Sequence, residues 1–282
     1  MHGNTLKVLF IGDVMSTPGR SMLIKHVTGL KKQYAIDVCI ANGENAAFDG
    51  RGLTPKIKEH MHECGVDVIT TGNHVWAKKE LVAFFASVPT PNTLLRPINY
   101  PAGCPGTGVT IFTVGMTKVG IINVAGRVFL KDMVTCPFRA LESALTFVRS
   151  QTDIVIVDMH AETSAEKRAV AHYFDGNVSL FCGTHTHVPT ADEQVLPGGT
   201  AYITDVGMCG PRDGIIGMRP DIITQHFLTQ MPNKFMVQLQ GSYQLQAVVC
   251  GIDVDTGKAL SIERIQVIDT KPTVYQKGEL PE

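Results

Sequence analysis

The chain has 282 residues, of which 44% are hydrophobic and 18% charged, and its formal net charge is -1 at pH 7. This composition supports a sizeable core, and the balanced charge excludes a global field of the kind that holds nucleic acid or an anionic membrane. No segment approaches the roughly 20 apolar residues of a bilayer span, and the N-terminal run Val8-Leu9-Phe10-Ile11 stops at Gly12-Asp13, without the basic-then-apolar layout of an export signal.

The expectation is a cytoplasmic protein formed as one domain over residues 1–282. The seven cysteines contain no C-x-x-C pair and several lie in apolar segments, so they are expected to be buried reduced thiols.

In chain order, Leu6 to Ile11 is an apolar run that reads as a buried strand. Pro18 and Gly19 open a helical pattern through Leu30, and Ile36 to Ala41 is a second strand-like run ending at Asn42-Gly43-Glu44-Asn45. Thr54-Pro55 is a helix start, with threonine as cap and proline in the first turn, and that helix runs to about Cys64. Val66 to Thr70 is a third run, stopping at Thr71-Gly72-Asn73-His74. The repetition predicts β-α-β-α-β with parallel strands buried on both faces.

Further on, Val109 to Val114 and Val119 to Val124 flank Gly115-Met116-Thr117-Lys118 as a hairpin. A helix from Pro137 to Arg149 leads to the run Ile154 to Met159, which stops at His160. Ser164 to Tyr173 is helical, and the short strand Val178 to Cys182 stops at Gly183-Thr184-His185-Thr186-His187. The last third reads as strands Ala201 to Thr204, Gln244 to Val254 and Ala259 to Ile268, with Asp255 to Lys258 as a turn and Arg219 to Leu228 as one helix.

The polar residues fall where chemistry needs them. Apolar runs end in Gly12-Asp13, Asn42 to Asn45, Gly72 to His74, Met159-His160 and Gly183 to His187. Ligands of open α/β sheets bind at the carboxyl ends of the strands, so strands lying side by side would bring these clusters together along one edge. Carboxylate, amide oxygen and imidazole suit divalent Mn, Fe, Co, Ni or Zn. The candidate ligands are Asp13, Glu44, Asn45, Asn73, His160, His185 and His187, too many for one tetrahedral site and suited to two metals sharing a bridge. Glu44, with two carboxylate oxygens, is the natural bridge.

The charge count points to phosphate. Two divalent ions less Asp13, Glu44 and a bridging hydroxide leave net positive charge for a phosphate monoanion, and paired metals generate such a hydroxide near neutral pH. Its attack on phosphorus requires a proton for the leaving oxygen, and His74 beside Asn73 is the candidate donor.

The motifs I-G-D-V-M-S-T-P-G-R from Ile11, A-N-G-E-N-A-A from Ala41, T-T-G-N-H-V-W from Thr70, H-A-E-T-S-A-E-K from His160 and G-T-H-T-H-V-P-T-A-D from Gly183 resemble the bacterial YmdB-type subfamily of calcineurin-like metallophosphoesterases. T-D-V-G-M-C-G-P from Thr204 and F-L-T-Q-M-P from Phe227 extend the likeness over nearly the whole chain. The resemblance implies a four-layer αββα sandwich with two mixed sheets, 2′,3′-cyclic-nucleotide phosphodiesterase activity, and a pair of iron or manganese ions. Carried over by position, it implies Asp13, Asn45 and His187 on one metal, Asn73, His160 and His185 on the other, Glu44 between them and His74 as proton donor. Relative to the broader superfamily, D-x-H lacks its histidine at Met15, and Gly43-Glu44-Asn45 replaces the aspartate of G-D; both departures are features of the YmdB-type subfamily.

Each signal also has a plainer reading. Asp13 alone reads as a helix cap, Asn42 and Asn45 as turn residues, and His160 as a core histidine. His26, His60, His62, His172 and His226 sit on helical patterns as surface or packing residues, and Met208-Cys209 reads as packing. Arg20, Arg51 and Arg127 are candidate phosphate contacts or, more simply, solvated or structural arginines, and Asp205 is a candidate to orient a ligand histidine.

The expected partner is a small phosphodiester or cyclic nucleotide, with no stable nucleic-acid or membrane partner and room for a homo-oligomer. A competing expectation is a regulatory metal-containing binding protein acting through a partner. A dinucleotide oxidoreductase is disfavoured, because Gly12 to Gly19 lacks G-x-G-x-x-G and Asp13 would repel a pyrophosphate.

Overall fold

Strand alternation dictates the layering. In β1 (Thr5–Ile11), Leu6, Val8 and Phe10 point to one face while Leu9 and Ile11 point to the other, and all five are buried, so the strand must be covered on both sides. A computed structural model of the chain, which describes residues 4–87 and 93–282, shows how.

The first half comprises β1, β2 (Asp13–Val14), α1 (Ser16–Tyr34), β3 (Val38–Asn42), α2 (Pro55–Glu63), β4 (Val68–Thr70) and α3 (Lys79–Ser87). There follow β5 (Val109–Val114), β6 (Thr117–Ala125), α4 (Pro137–Arg149), β7 (Val155–His160), α5 (Ser164–Tyr173) and β8 (Leu180–Thr184). The chain ends with β9 (Gln194–Val195), β10 (Ala201–Ile203), β11 (Met208–Pro211), α6 (Pro220–Thr229), β12 (Tyr243–Asp253) and β13 (Ala259–Asp269).

Two mixed sheets result. One runs in the order β2-β11-β12-β1-β3-β4, with β13 also on β12; the other runs β5-β6-β7-β8-β10-β9. β1, β3 and β4 are parallel, as the β-α-β-α-β pattern requires, whereas β12 is antiparallel to β1 and β13.

Three apolar clusters mark the layers. Between the sheets, Val8, Phe10, Ile40 and Val248 meet Ile121, Ile156, Leu180 and Ile203. Outside the first sheet, Leu9, Ile11 and Ile69 pack on Met22 and Leu23 of α1, Ile57 of α2 and Leu81 of α3. Outside the second, Val155, Val157 and Phe181 pack on Leu141 and Val148 of α4 and Val170 of α5. This is the expected four-layer αββα sandwich.

Local differences have local causes. α1 extends past Leu30 to Tyr34, because Lys31 and Lys32 suit a last turn while adding no apolar period, and it ends at Ala35 with φ 53°. The first hairpin turns through Gly115 and Met116 alone, Gly115 having φ 59°, so Thr117 and Lys118 belong to β6. Strands β3, β4, β7 and β8 each begin one or two residues later than the apolar runs suggest, and β3, β7 and β8 end on the polar residues Asn42, His160 and Thr184. The cysteines are free, and four of them are buried. No helix among the described residues is long and apolar enough to cross a membrane.

Because Ile156 lies at full burial between the sheets, Ile156→Ala is expected to lower unfolding free energy by about 2–5 kcal/mol, read as a fall in the urea midpoint with little change in slope.

Candidate functional site

The polar clusters do meet, but across the sandwich and not along one sheet edge. Asp13, Asn42 to Asn45 and Gly72 to His74 follow strands of the first sheet, while His160, His185 and His187 follow β7 and β8 of the second. The expectation of side-by-side strands is corrected by the topology: the site is a seam between two stacked sheets. Period-2 patterns specify which face of a strand is buried and not which sheet it joins.

His160 is the hub of one half. Its Nε2 lies 3.0 Å from Asn73 Oδ1, 3.0 Å from His185 Nδ1 and 3.1 Å from Glu44 Oε1. Glu44, His160 and His185 thus form a group that could hold a metal ion. The surroundings fix which ring atoms face inward. Thr184 Oγ1 donates its one proton to Asp158 Oδ1 at 2.7 Å, so at 3.0 Å it accepts from His160 Nδ1. His185 Nε2 donates to Glu162 Oε2 at 2.9 Å, turning its Nδ1 lone pair into the site.

The other half is built the same way. Asn45 Nδ2 donates to Gly50 O at 2.8 Å, which aims Oδ1 at His187 Nε2, 3.2 Å away. His187 Nδ1 donates to Ile216 O at 3.0 Å, so its Nε2 presents a lone pair to Asn45 Oδ1. Asp13 accepts the His185 backbone N–H on Oδ2 at 3.0 Å. Its Oδ1 is buried with no hydrogen-bond partner among the described residues and lies 3.8 Å from His160 Nδ1.

His74 joins both halves. Its Nδ1 is 3.2 Å from Asn45 Nδ2 and 3.3 Å from Glu44 Oε1, and its backbone N–H donates to Glu44 Oε2 at 3.2 Å. All eight predicted residues are therefore linked by contacts in one seam.

This donor set fits a cation. Ligand atoms of Glu44, His160 and His185 lie within 4.8 Å of one another, Asn73 Oδ1 stands 3.0 Å from His160 Nε2, and Asp13 Oδ1 has no hydrogen-bond partner among the described residues. The local field agrees. Burial opposes a charge on His160, yet Glu44, Asp13 and Asp158 carry its pKa up to about 9. Burial and the neighbouring His160 hold His185 neutral, with its pKa lowered to about 3. Burial also pushes Asp13 up to about 6 against the pull of His187 and His160. Glu44 resists the same burial and stays well below the usual carboxylate range, because His160 and His74 face it.

The backbone is bent to make this seam. His185 and His187 have φ of 104° and 63°, a left-handed region that costs a non-glycine residue about 1–3 kcal/mol. Beneath them Asp205 accepts the N–H groups of Thr186 and Gly207 at 3.1 and 2.9 Å, and pairs with buried Lys167 at 2.7 Å. Asp205 thus holds the loop backbone and, among the described residues, has no hydrogen bond to an imidazole, so its candidate role as a histidine partner is not what the structure shows. At Gly72 a Cβ would fall 2.2 Å from both Glu44 Oε2 and His160 Cδ2, so only glycine lets these two side chains meet there.

Several residues of the seam escaped sequence reasoning. Asp158, Thr184 and Asn42 form a buried network: Asp158 Oδ2 accepts from Asn42 Nδ2 at 2.9 Å and from the Thr70 hydroxyl. Asn42 Oδ1 accepts the Glu44 N–H at 3.1 Å, the Asx turn expected of it, and its amide adds the bond to Asp158. The available signal was Asp158 itself, a charge inside an apolar run, two residues before His160 and so on the same strand face. Glu162 carried the same offset on the other side.

Of the three arginines, Arg20 is fully buried against Pro281 O and 3.6 Å from Glu282, away from the seam. Arg127 is exposed, with its backbone N–H on Glu166. Arg51 alone lines the cavity in front of the site, with His74, His185 and His187.

The two-sheet αββα sandwich carries at its strand ends a seam whose donors could hold a cation, an arrangement shared with phosphoesterase relatives. The profile described as "YmdB-like protein" matches residues 9–265, and the chain belongs to that family. It is 45% identical over 264 residues to the 2′,3′-cyclic-nucleotide 2′-phosphodiesterase of Bacillus subtilis (strain 168), covering 94% of this chain and 98% of that protein. Among solved structures, a hypothetical protein from Thermus thermophilus superposes with TM-score 0.85 at 40% identity, covering 94% of this chain and 100% of that one. A novel phosphatase from Mycoplasma pneumoniae superposes with TM-score 0.86 at 37% identity, covering 95% of each chain. Membership of this family implies divalent metal ions, which the donor set described above accommodates.

Thr184→Val keeps the side-chain shape and removes the hydroxyl that orients His160. Metal affinity is expected to fall about 10- to 100-fold, measured by competition with a chromogenic chelator, while the circular dichroism spectrum is retained. Lys167→Met, by stranding Asp205, is expected to cost about 3–5 kcal/mol in urea unfolding.

Proposed function

We propose that this protein hydrolyses small phosphodiesters, 2′,3′-cyclic nucleotides foremost, at a two-metal centre held by the seam. The observation that carries this reading is the convergence of inward lone pairs from Asp13, Glu44, Asn45, Asn73, His160, His185 and His187 at the foot of an open cavity. The name of the Bacillus subtilis relative supports the substrate class.

Asp13, Asn45 and His187 would hold one ion and Asn73, His160 and His185 the other, with Glu44 shared; iron or manganese is the pair implied by the YmdB-type resemblance. When bound, such a pair supplies positive charge at the phosphoryl oxygens and brings the pKa of a coordinated water near neutrality. The protein supplies geometry and a proton. Asp158 and Thr184 fix the ring of His160, and Glu162 fixes that of His185, so neither needs to reorganise as charge develops on phosphorus.

His74 is the proton donor in this reading. Its Nδ1 is turned to the Asn45 amide and the Glu44 carboxylate, and the ring is part-exposed on the cavity. Where Asn45 Nδ2 donates to Nδ1, the ring proton of His74 stands on Nε2. As water adds to phosphorus, delivery of that proton to the departing ribose oxygen completes P–O cleavage and leaves a nucleoside monophosphate.

The test is turnover of 2′,3′-cyclic AMP and bis-p-nitrophenyl phosphate by the manganese-loaded protein. Wild type is expected to cleave both. His74→Ala is expected to lose about 10²–10⁴ in kcat on the cyclic nucleotide while retaining two metals per chain by elemental analysis. Absence of turnover on both substrates by protein with two bound metals would overturn the reading.

A further inference from the structure

The cavity above the seam has two unlike sides. One is the donor cluster; the other is apolar, formed by Met15, Ile216, Met218, Ile223 and Phe235. Its volume is about 290 Å³, at the lower end of small-molecule sites, which suits one nucleotide and not an oligomer.

The apolar side is constructed, not incidental. Ile216 has φ 46°, a conformation that a β-branched residue rarely adopts. That strained residue turns its carbonyl to His187 Nδ1 and gives its side chain to the cavity wall, so one backbone bend serves both sides.

Phe235 is held by its own bracing. The segment carrying it pairs with the stretch after Ile216 through Arg219 N to Met236 O at 2.8 Å and Gln238 N to Gly217 O at 2.9 Å. His226 of α6 meets the phenyl ring edge-on at 5.3 Å. Phe235 remains 36% exposed and lines the cavity. Arg51 lines the same cavity, and its guanidinium has no ion pair among the described residues, which adds an unspent positive charge for a phosphate.

We infer that the wall of Ile216, Met218 and Phe235 is the nucleobase subsite, with Phe235 stacking on the base, so that base recognition sets which phosphodiesters this enzyme takes. A phosphate at the seam and a planar apolar group on the wall describe a cyclic mononucleotide, and a base-free cyclic phosphodiester would forfeit the wall. The inference rests on the phosphodiesterase reading above.

The experiment compares 2′,3′-cyclic AMP with glycerol 1,2-cyclic phosphate on manganese-loaded wild type, Phe235→Ala and Phe235→Tyr. Stacking on an aromatic ring supports an expected rise of about tenfold in KM for the nucleotide in F235A. The loss should appear in KM and not in kcat, lower the nucleotide-to-glycerol ratio of kcat/KM to the same extent, and be restored in F235Y. Calorimetric titration of 3′-AMP, the product that the name of the 2′-phosphodiesterase relative points to, should show a parallel loss of affinity in F235A alone. An unaltered KM for 2′,3′-cyclic AMP in F235A, or a wild type that prefers the glycerol substrate, overturns the base subsite while leaving the phosphodiesterase reading intact. Turnover of neither substrate by wild type overturns both.

Discussion

His160 Nε2 sits within about 3 Å of an amide oxygen, a carboxylate oxygen and a second imidazole nitrogen, at full burial. Such a crowd of electron pairs calls for a positive charge in its midst, a ring proton or a bound cation, and much of the molecule is arranged to hold it. Asp158, at the heart of β7, accepts from Asn42, Thr70 and Thr184, and so ties β3, β4, β7 and β8 to one buried charge. Removing that carboxylate would free the hydroxyl that orients His160 and the amide that shapes the Glu44 turn. Stability and site geometry are thus carried by the same bonds.

The strain in the site has the same origin. Two histidines of G-T-H-T-H and Ile216 stand in left-handed backbone, and each bend delivers a lone pair or a carbonyl where the seam needs it. The cost is borne by the buried Lys167–Asp205 pair below the loop and by the bracing of residues 217–219 against 236–238. Glycine does the converse work at position 72, where the absence of a side chain lets two sheets bring Glu44 and His160 into contact.

Much of this was legible in the sequence, because apolar runs that stop abruptly at Gly, Asp, Asn or His mark strand ends that face a ligand. The members of the candidate constellation were picked out by those stops, and the αββα layering was implied by the family likeness they carry. What stayed hidden was long-range. Nothing in the run that gives β7 says that it joins a different sheet from β1, since the partner of a strand is chosen by non-local contacts. Asp205 was seen only as a candidate histidine partner, because backbone N–H groups leave no trace in a sequence. Phe235 lies in a stretch without period and is defined only by the distant residues it pairs with.

The central claim is that the seam holds two cations. Anomalous diffraction from crystals grown with manganese tests it most directly. Two peaks per chain are predicted, one beside Asp13, Asn45 and His187 and one beside Asn73, His160 and His185, with Glu44 between them. A single peak, or manganese bound elsewhere, would contradict it.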